Sequence, residues 1–252
     1  MANYNATVLT LHRNNVGETD RILTLFARES GKFSAIAKGA RKPTSRLAGA
    51  TEPFTVSRMQ LGAGRNLDIV TQSEIVQSYP ELRGTLGGLA RASYLCELLD
   101  RMTAEHDATV SDELFDLTTG SLELLQRPTD YPDGVLHTFE LRLLAVQGYE
   151  PALHQCARCG GALVGRLFGF SPSLGGVLCT MDRFRAEDST AISLPGLQLL
   201  RSLAAGEEAP LPTPAVAAET ARALRWYISY RTDRQIKSAE FLDQLRAGAQ
   251  PA

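Results

Sequence analysis

The chain has 252 residues, of which 44% are hydrophobic and 21% charged, with a formal net charge of −2. That composition excludes a disordered chain and leaves enough apolar side chains for about two domains. No apolar run approaches the ~20 residues a bilayer requires, and the opening MANYNATVLTLHRNN lacks a basic segment followed by an apolar one, so a soluble, cytoplasmic protein with no membrane partner is expected.

The first part of the chain reads as strands. ATVLTLHR, DRILTLFAR, KFSAIAKGA, PFTVSRMQL and LDIVTQSEIV are short runs rich in Val, Ile, Thr and Phe, punctuated by Gly17, Gly31, Gly39, Pro53, Gly62 and Gly64. Five strands at this spacing predict a small closed barrel or sandwich, with an OB-type barrel as one natural solution. Gly31 lies between two apolar runs, where a tight hairpin needs it. After Pro80 the apolar period becomes helical. Leu82, Leu86, Leu89, Leu95, Leu99 and Met102 mark one helical stripe. A second helix is predicted over 111–126, with Ser111 as its N-cap and Asp112 and Glu113 in its first turn, ended by Pro128 and Pro132. A third covers 134–147 and stops at Gly148. A cysteine-bearing segment follows. Pro195 then opens a helix to Ala205, GEEAPLPTP is a linker, and two more helices are expected over 214–231 and 238–246. The expected architecture is α+β: a five-stranded OB-fold barrel at 1–80 and a helical domain at 81–252, interrupted by a zinc-ribbon-like insertion at 153–187.

Three of the four cysteines fall in that insertion. Such a local cluster suits a metal site better than a disulfide framework. Cys156-Ala-Arg-Cys159-Gly160-Gly161 has the form of a knuckle that aims two sulfurs at one point, and Gly175-Gly176-Val-Leu-Cys179-Thr-Met-Asp182 forms its second half. Asp182 stands where a fourth cysteine is expected. A carboxylate can bind zinc, although thiolate is the commoner structural ligand. The candidate ligands are therefore Cys156, Cys159, Cys179 and Asp182. His154, two residues before the first knuckle, is an awkward alternative, and a redox pair or a lost metal are the others. Closed by four protein ligands, such a site is structural.

No catalytic motif is present: no phosphate loop, no Gly-x-Ser-x-Gly, no His-Glu-x-x-His, and four scattered histidines. His137 on a helix reads as a packing residue. A non-enzymatic binding protein is expected. Residues 1–80 hold ten Lys/Arg and six Asp/Glu, against sixteen and twenty-two in 81–252, which points the N-terminal part toward an anionic partner. Its basic segment, KFSAIAKGARKPTSR, carries Lys32, Lys38, Arg41, Lys42 and Arg46 without an acid. On an OB-type barrel such a loop suits nucleic-acid phosphates. Of the nearby aromatics Tyr4, Phe33 and Phe54, at most one is expected to stack on a base. A second basic segment, RALRWYISYRTDRQIKS, adds Arg222 and Arg225. There Leu224, Tyr227, Ile228 and Arg231 share a packing face, so an ordinary amphipathic helix explains it equally well.

AKGARKPTSRLAGATEPF resembles the signature of the bacterial RecO family: a basic Lys-Gly-Ala-Arg segment, a serine, then Pro-Phe opening the next strand. The order of barrel, helices and inserted cysteine ribbon is similar as well, and RQIKSAEFL resembles the family's C-terminal Lys-Ser-x-x-Phe-Leu. Asp182 departs from the family's fourth cysteine. The resemblance implies a DNA repair and recombination mediator that binds single- and double-stranded DNA and anneals complementary strands without ATP. It implies work with RecR, with single-stranded DNA-binding protein and with RecF, loading of RecA, a structural Zn2+, and a place at the nucleoid. The rival expectations are a protein-interaction hub with incidental DNA binding and an OB-fold RNA-binding factor.

Overall fold

A computed structural model describes residues 3–207, 210–232 and 236–248. It opens with five strands, β1 (Asn3–Val16), β2 (Asp20–Ala27), β3 (Gly31–Ala37), β4 (Thr55–Gly62) and β5 (Asp68–Ser78). They close into a barrel in the order β1-β2-β3-β5-β4, with β1 antiparallel to both β2 and β4 and with β3 parallel to β5. Closure leaves no unpaired sheet edge. The register follows from side-chain alternation. Along β3, Phe33, Ala35 and Ala37 are buried, while Lys32, Ser34 and Ile36 alternate with them on the other face. The barrel interior is filled by Val8, Leu23, Leu25, Phe33, Met59, Leu61 and Val70. Truncating one of these, as in Leu25→Ala, costs about 2–5 kcal/mol. The expected strands are all present, with one local difference. β4 starts at Thr55 because Phe54 adopts φ +61 and donates its N–H to Thr10 O at 2.9 Å, outside the pleat.

Gly31 does more than turn the hairpin. At φ +73 it is left-handed, and a Cβ there would lie 2.2 Å from the Asp107 carbonyl oxygen. That close approach lets His106 N–H reach Lys32 O at 2.8 Å.

Helices α1 (Pro80–Gly84), α2 (Leu86–Met102) and α3 (Ser111–Gln126) follow. The stripe from Leu82 to Met102 is thus two helices. Thr85 is extended, and its side chain accepts Gly88 N–H at 3.1 Å, which starts α2 afresh. Ser111 is not an N-cap. It is the first residue of α3, and its hydroxyl donates to Arg28 O at 2.7 Å, tying the helix to the turn after β2. Arg28 is also paired with Asp112 and Asp116 of α3, and Lys32 with Asp100 of α2 at 3.0 Å. Through these ties, and through α7 (Lys237–Gly248), which packs on α2, the residues up to Pro128 and from Ile236 onward form one compact unit. The change from strands to helices falls between Ser78 and Pro80, and the compact unit runs on to residue 128 because α2 packs on β1 and α3 on β2. In α7, Glu97 of α2 accepts Lys237 N–H at 3.1 Å, Ser238 N–H at 2.9 Å and the Ser238 hydroxyl at 2.7 Å. A buried carboxylate thus caps that helix start.

The second compact unit, residues 129–235, holds α4 (Pro132–Val146), β6 (Leu167–Ser171), β7 (Gly176–Leu178), a 3₁₀ turn at Asp182–Phe184, β8 (Thr190–Ser193), α5 (Leu194–Ala205) and α6 (Pro214–Thr232). The three strands form an antiparallel sheet in the order β7-β6-β8. Its Phe168 and Phe170 are fully buried, Phe170 meeting Tyr227 of α6 edge-on with ring centres 5.6 Å apart. Ser193 caps α5 by accepting Gly196 N–H at 3.1 Å, with Pro195 in the first turn as expected. His137 is buried on α4, with Nδ1 2.7 Å from Glu140, and serves as a packing residue. Among the described residues, no helix is long and apolar enough to cross a membrane.

Candidate metal centre and nucleic-acid interface

The first knuckle is shaped by its backbone. Gly160, at φ +70, donates its N–H to Cys156 O at 2.9 Å, and Cys156 N–H donates to Gly161 O at 2.9 Å. Ala157 N–H reaches Val177 O of β7 at 2.8 Å, which binds this knuckle to the strand that leads into the second. There Cys179 N–H donates to Cys156 Sγ at 3.3 Å, and the 3₁₀ turn lifts Asp182 back over the sulfurs through Arg183 N–H to Cys179 O at 3.0 Å.

Cys156, Cys159, Cys179 and Asp182 offer ligand atoms that all lie within 4.8 Å of one another. Asp182 Oδ2 is 3.5 Å from both Cys156 Sγ and Cys179 Sγ. A tetrahedral zinc with Zn–S of about 2.3 Å and Zn–O of about 2.0 Å requires a sulfur–oxygen edge of about 3.5 Å. The donor set and its spacing therefore fit a zinc ion. His154 is exposed and is not part of this cluster. The other carboxylate oxygen, Oδ1, faces Arg185 at 3.5 Å and Arg158 at 4.0 Å. One oxygen thus points to the sulfurs while the other is held by guanidinium groups, an outer shell that orients a ligand. The cluster's protonation is consistent with metal binding. Burial opposes the Cys156 thiolate, but the N–H groups of Cys159, Cys179 and Arg158 outweigh it and hold its pKa below the usual thiol range. Cys159 has the Gly161 N–H in its favour, yet Asp182 and Cys156 push it up to about 11. Asp182 is held below the usual carboxylate range, first by Cys159 and then, against burial, by the other two thiols and Arg158. A divalent cation among four anionic ligands replaces this sharing of protons. The fourth cysteine, Cys96, is fully buried on α2 and its thiol is pushed far up by burial.

On the barrel, the five basic residues of the first segment separate into two groups. Lys38, Arg41, Lys42 and Arg46 are exposed. Their loop is pinned to the β1–β2 hairpin: Arg41 N–H donates to Thr19 O at 2.9 Å, its guanidinium to Gly17 O at 3.2 Å, and Gly39 N–H to Asp20 Oδ1 at 2.8 Å. The Gly39 N–H, the Thr19 hydroxyl and the nearby Lys38 and Lys42 hold Asp20 below the usual carboxylate range. A fixed backbone carrying solvent-facing cations can track phosphates. Lys32 stands apart, its side chain only 12% exposed and paired with Asp100. The aromatics also separate. Phe33 and Phe54 are buried, and Tyr4 is partly exposed with its hydroxyl on Asp68. On α6, Leu224, Tyr227 and Ile228 form the buried face, Arg222 is exposed and Arg225 partly so. Arg231 lies against Tyr149, Tyr227 and Tyr230. Arg158 and Arg185 were not among the residues expected at the metal site. Their only signal was position, one between the two cysteines of the first knuckle and one just past Asp182.

A closed five-stranded barrel with a basic loop, and a knuckle of four candidate ligands on a small sheet, define a barrel-and-ribbon protein. The Recombination protein O N-terminal model matches residues 1–79 and the Recombination protein O C-terminal model residues 83–240. The DNA repair protein RecO of Symbiobacterium thermophilum is 40% identical over 98% of this chain and 99% of its own length. That of Pelotomaculum thermopropionicum is 38% identical over 99% and 96%, and that of Nocardioides sp. 35% over 96% and 99%. The chain belongs to the RecO family of DNA repair proteins.

Proposed function

We propose that this chain is a recombination mediator that binds single- and double-stranded DNA, anneals complementary strands without ATP, and works with RecR and single-stranded DNA-binding protein, and with RecF, to load RecA. The observation that carries the reading is the exposed group Lys38, Arg41, Lys42 and Arg46 on a barrel whose backbone holds the loop in place. Annealing requires that two phosphate backbones approach each other. A cationic surface lowers their repulsion by releasing counterions and needs neither a nucleophile nor a nucleotide pocket. The protein acts as a binding factor rather than an enzyme, in the cytoplasm at the nucleoid. Zn2+, held by Cys156, Cys159, Cys179 and Asp182, supplies a fixed cross-link between the two knuckles and no open coordination position.

The test is a strand-annealing assay without nucleotide, with zinc measured on the same sample and an RNA pair run beside the DNA pair. Acceleration of DNA annealing that falls steeply with salt is expected. A folded, zinc-loaded sample that leaves the annealing rate unchanged would sink the proposal, and a preference for RNA would move the chain to RNA binding.

A further inference from the structure

Helix α6 packs on its core through Ala223, Leu224, Tyr227 and Ile228. Arg222, Trp226 and Tyr230 recur at four-residue intervals, so they line one face of the helix, and all three are exposed. Trp226 is 43% exposed and Tyr230 52%. Two large rings are thus turned to solvent on a helix whose packing is done by other residues. Tyr230 also lines a groove of about 550 Å³ together with Arg158, Arg185, Ser173 and Leu174. The acids at this groove are Glu187 and Asp188. Asp188 is committed inward, accepting the Ser171 hydroxyl at 2.6 Å and Ser173 N–H at 2.8 Å. The Arg231 guanidinium lies 5.4 Å from the centre of the Tyr230 ring and donates to Pro172 O at 3.3 Å, which restrains that ring before any ligand arrives.

We infer that this stripe and groove form a second site for single-stranded DNA, distinct from the barrel loop, with bases stacking on Trp226 and Tyr230 and phosphates meeting Arg222, Arg158 and Arg185. The inference rests on the DNA-binding reading above. Exposed aromatics interleaved with cations are what a sequence-tolerant strand site requires, since every base presents a π-face and every link a phosphate. A duplex hides those faces in its own stack, so the site selects unpaired strands. Arg158 and Arg185 touch Asp182 Oδ1 at 4.0 and 3.5 Å, but their side chains stay 43% and 63% exposed and keep donors for a phosphate; the exposed rings beside them favour a strand over an acidic peptide. A protein with two strand sites can carry one strand on each, which is what annealing consumes.

Trp226 is the chain's single tryptophan, so its emission reports on this site alone. The experiment titrates zinc-loaded full-length protein with end-labelled oligothymidylate and reads label anisotropy and tryptophan emission together. Saturable quenching of Trp226 is expected in the parent and in Tyr230→Phe. In Tyr230→Ala and Arg222→Glu its midpoint should rise about fivefold or more, the loss expected for one base stack. The double variant Arg41→Glu/Lys42→Glu should still quench. Binding by anisotropy without any change in Trp226 emission would overturn this site and leave the barrel reading intact. No binding by either signal would overturn both. Quenching with equal midpoints in parent and Tyr230→Ala, at equal zinc content and equal circular dichroism, would also overturn it.

Discussion

Strands β2 to β5 of the barrel run seven to eleven residues and β1 runs fourteen, each paired on both sides around an apolar interior. The ribbon sheet is built from strands of five, three and four residues, and its knuckle end leaves Val164, Met181 and Phe184 exposed. Strands this short do not hold a sheet in water unaided. The barrel therefore owes its form to side-chain alternation and closure. The knuckles bring four candidate ligands, Cys156, Cys159, Cys179 and Asp182, to one point, and a structural metal held there would contribute folding free energy directly. The two regions of one chain should fail independently and for different reasons.

Cys156→Ser is the largest test of that difference. It removes the buried ligand that both Cys179 N–H and Asp182 approach, and with it part of the ~10–16 kcal/mol that structural zinc supplies to isolated fingers. Zinc content should fall, and protease cleavage should open within 153–187. Amide-exchange protection of β1–β5 should stay at the parent level; a barrel that loses protection in step with the ribbon would break the comparison.

Asp182 gives the next largest effect. Asp182→Ala should weaken zinc retention against a chelator by about 10–100-fold or more, since loss of even an outer-shell partner costs that much. Asp182→Cys should retain the metal as well as the parent or better, because thiolate is the softer match. Equal retention in all three proteins would place the fourth ligand elsewhere, with His154 or water as the candidates.

Glu97→Gln probes the other device that sequence patterning did not reveal. Burial works against this carboxylate, but the donors from Ser238 and Lys237 outweigh it, with help from Arg101, and hold its pKa below the usual glutamate range. A pKa lowered on folding contributes stability that is present above the unfolded value, near ~4.3, and is lost as pH falls through the folded value. In the parent, α7 should loosen below about pH 4. The glutamine variant should lose about 1.5–3 kcal/mol at neutral pH and show a flatter acid limb, read by urea unfolding at a series of pH values.

These examples show which parts of the structure were legible in the sequence. The barrel was, because period-two alternation specifies both strand and face, as β3 illustrates. So were Cys156, Cys159, Cys179 and Asp182, because a knuckle is a local object with fixed spacing. Long-range pairings carry no such period. Nothing near Ser238 indicates that its partner is Glu97, although the Lys-Ser-x-x-Phe-Leu likeness has its physical basis there: the serine supplies two of the three donors to that carboxylate. Ser111 has the composition of an N-cap, and its hydroxyl was diverted by Arg28 O, just past β2. The break at Thr85 was hidden because α1 and α2 continue the same leucine stripe. Of RQIKSAEFL, residues 234 and 235 lie outside the described part.

The smallest effect on DNA is expected at the residue that composition alone groups with the largest. In the basic segment Lys32 counts equally with Arg41 and Lys42, yet its ammonium is spent on Asp100, at 3.0 Å from the carboxylate, whereas Arg41 and Lys42 face solvent from a pinned loop. If phosphate neutralisation drives binding, removing one cation from a phosphate should reduce the salt slope of affinity by about 0.7 for a single strand and about 0.9 for a duplex. Arg41→Glu/Lys42→Glu should therefore flatten the slope by about two such steps, weakening all sequences alike because phosphates carry no base information. Annealing should slow with it. Lys32→Met should leave the slope unchanged and lower unfolding stability instead, because Asp100 keeps a partly buried charge without its partner. Affinity against salt for the three proteins, with urea unfolding beside it, separates the two groups. A slope that falls in Lys32→Met as much as in the double variant would mean that Lys32 leaves Asp100 for the strand, and the contrast between a tied and an exposed lysine would fail at its sharpest point.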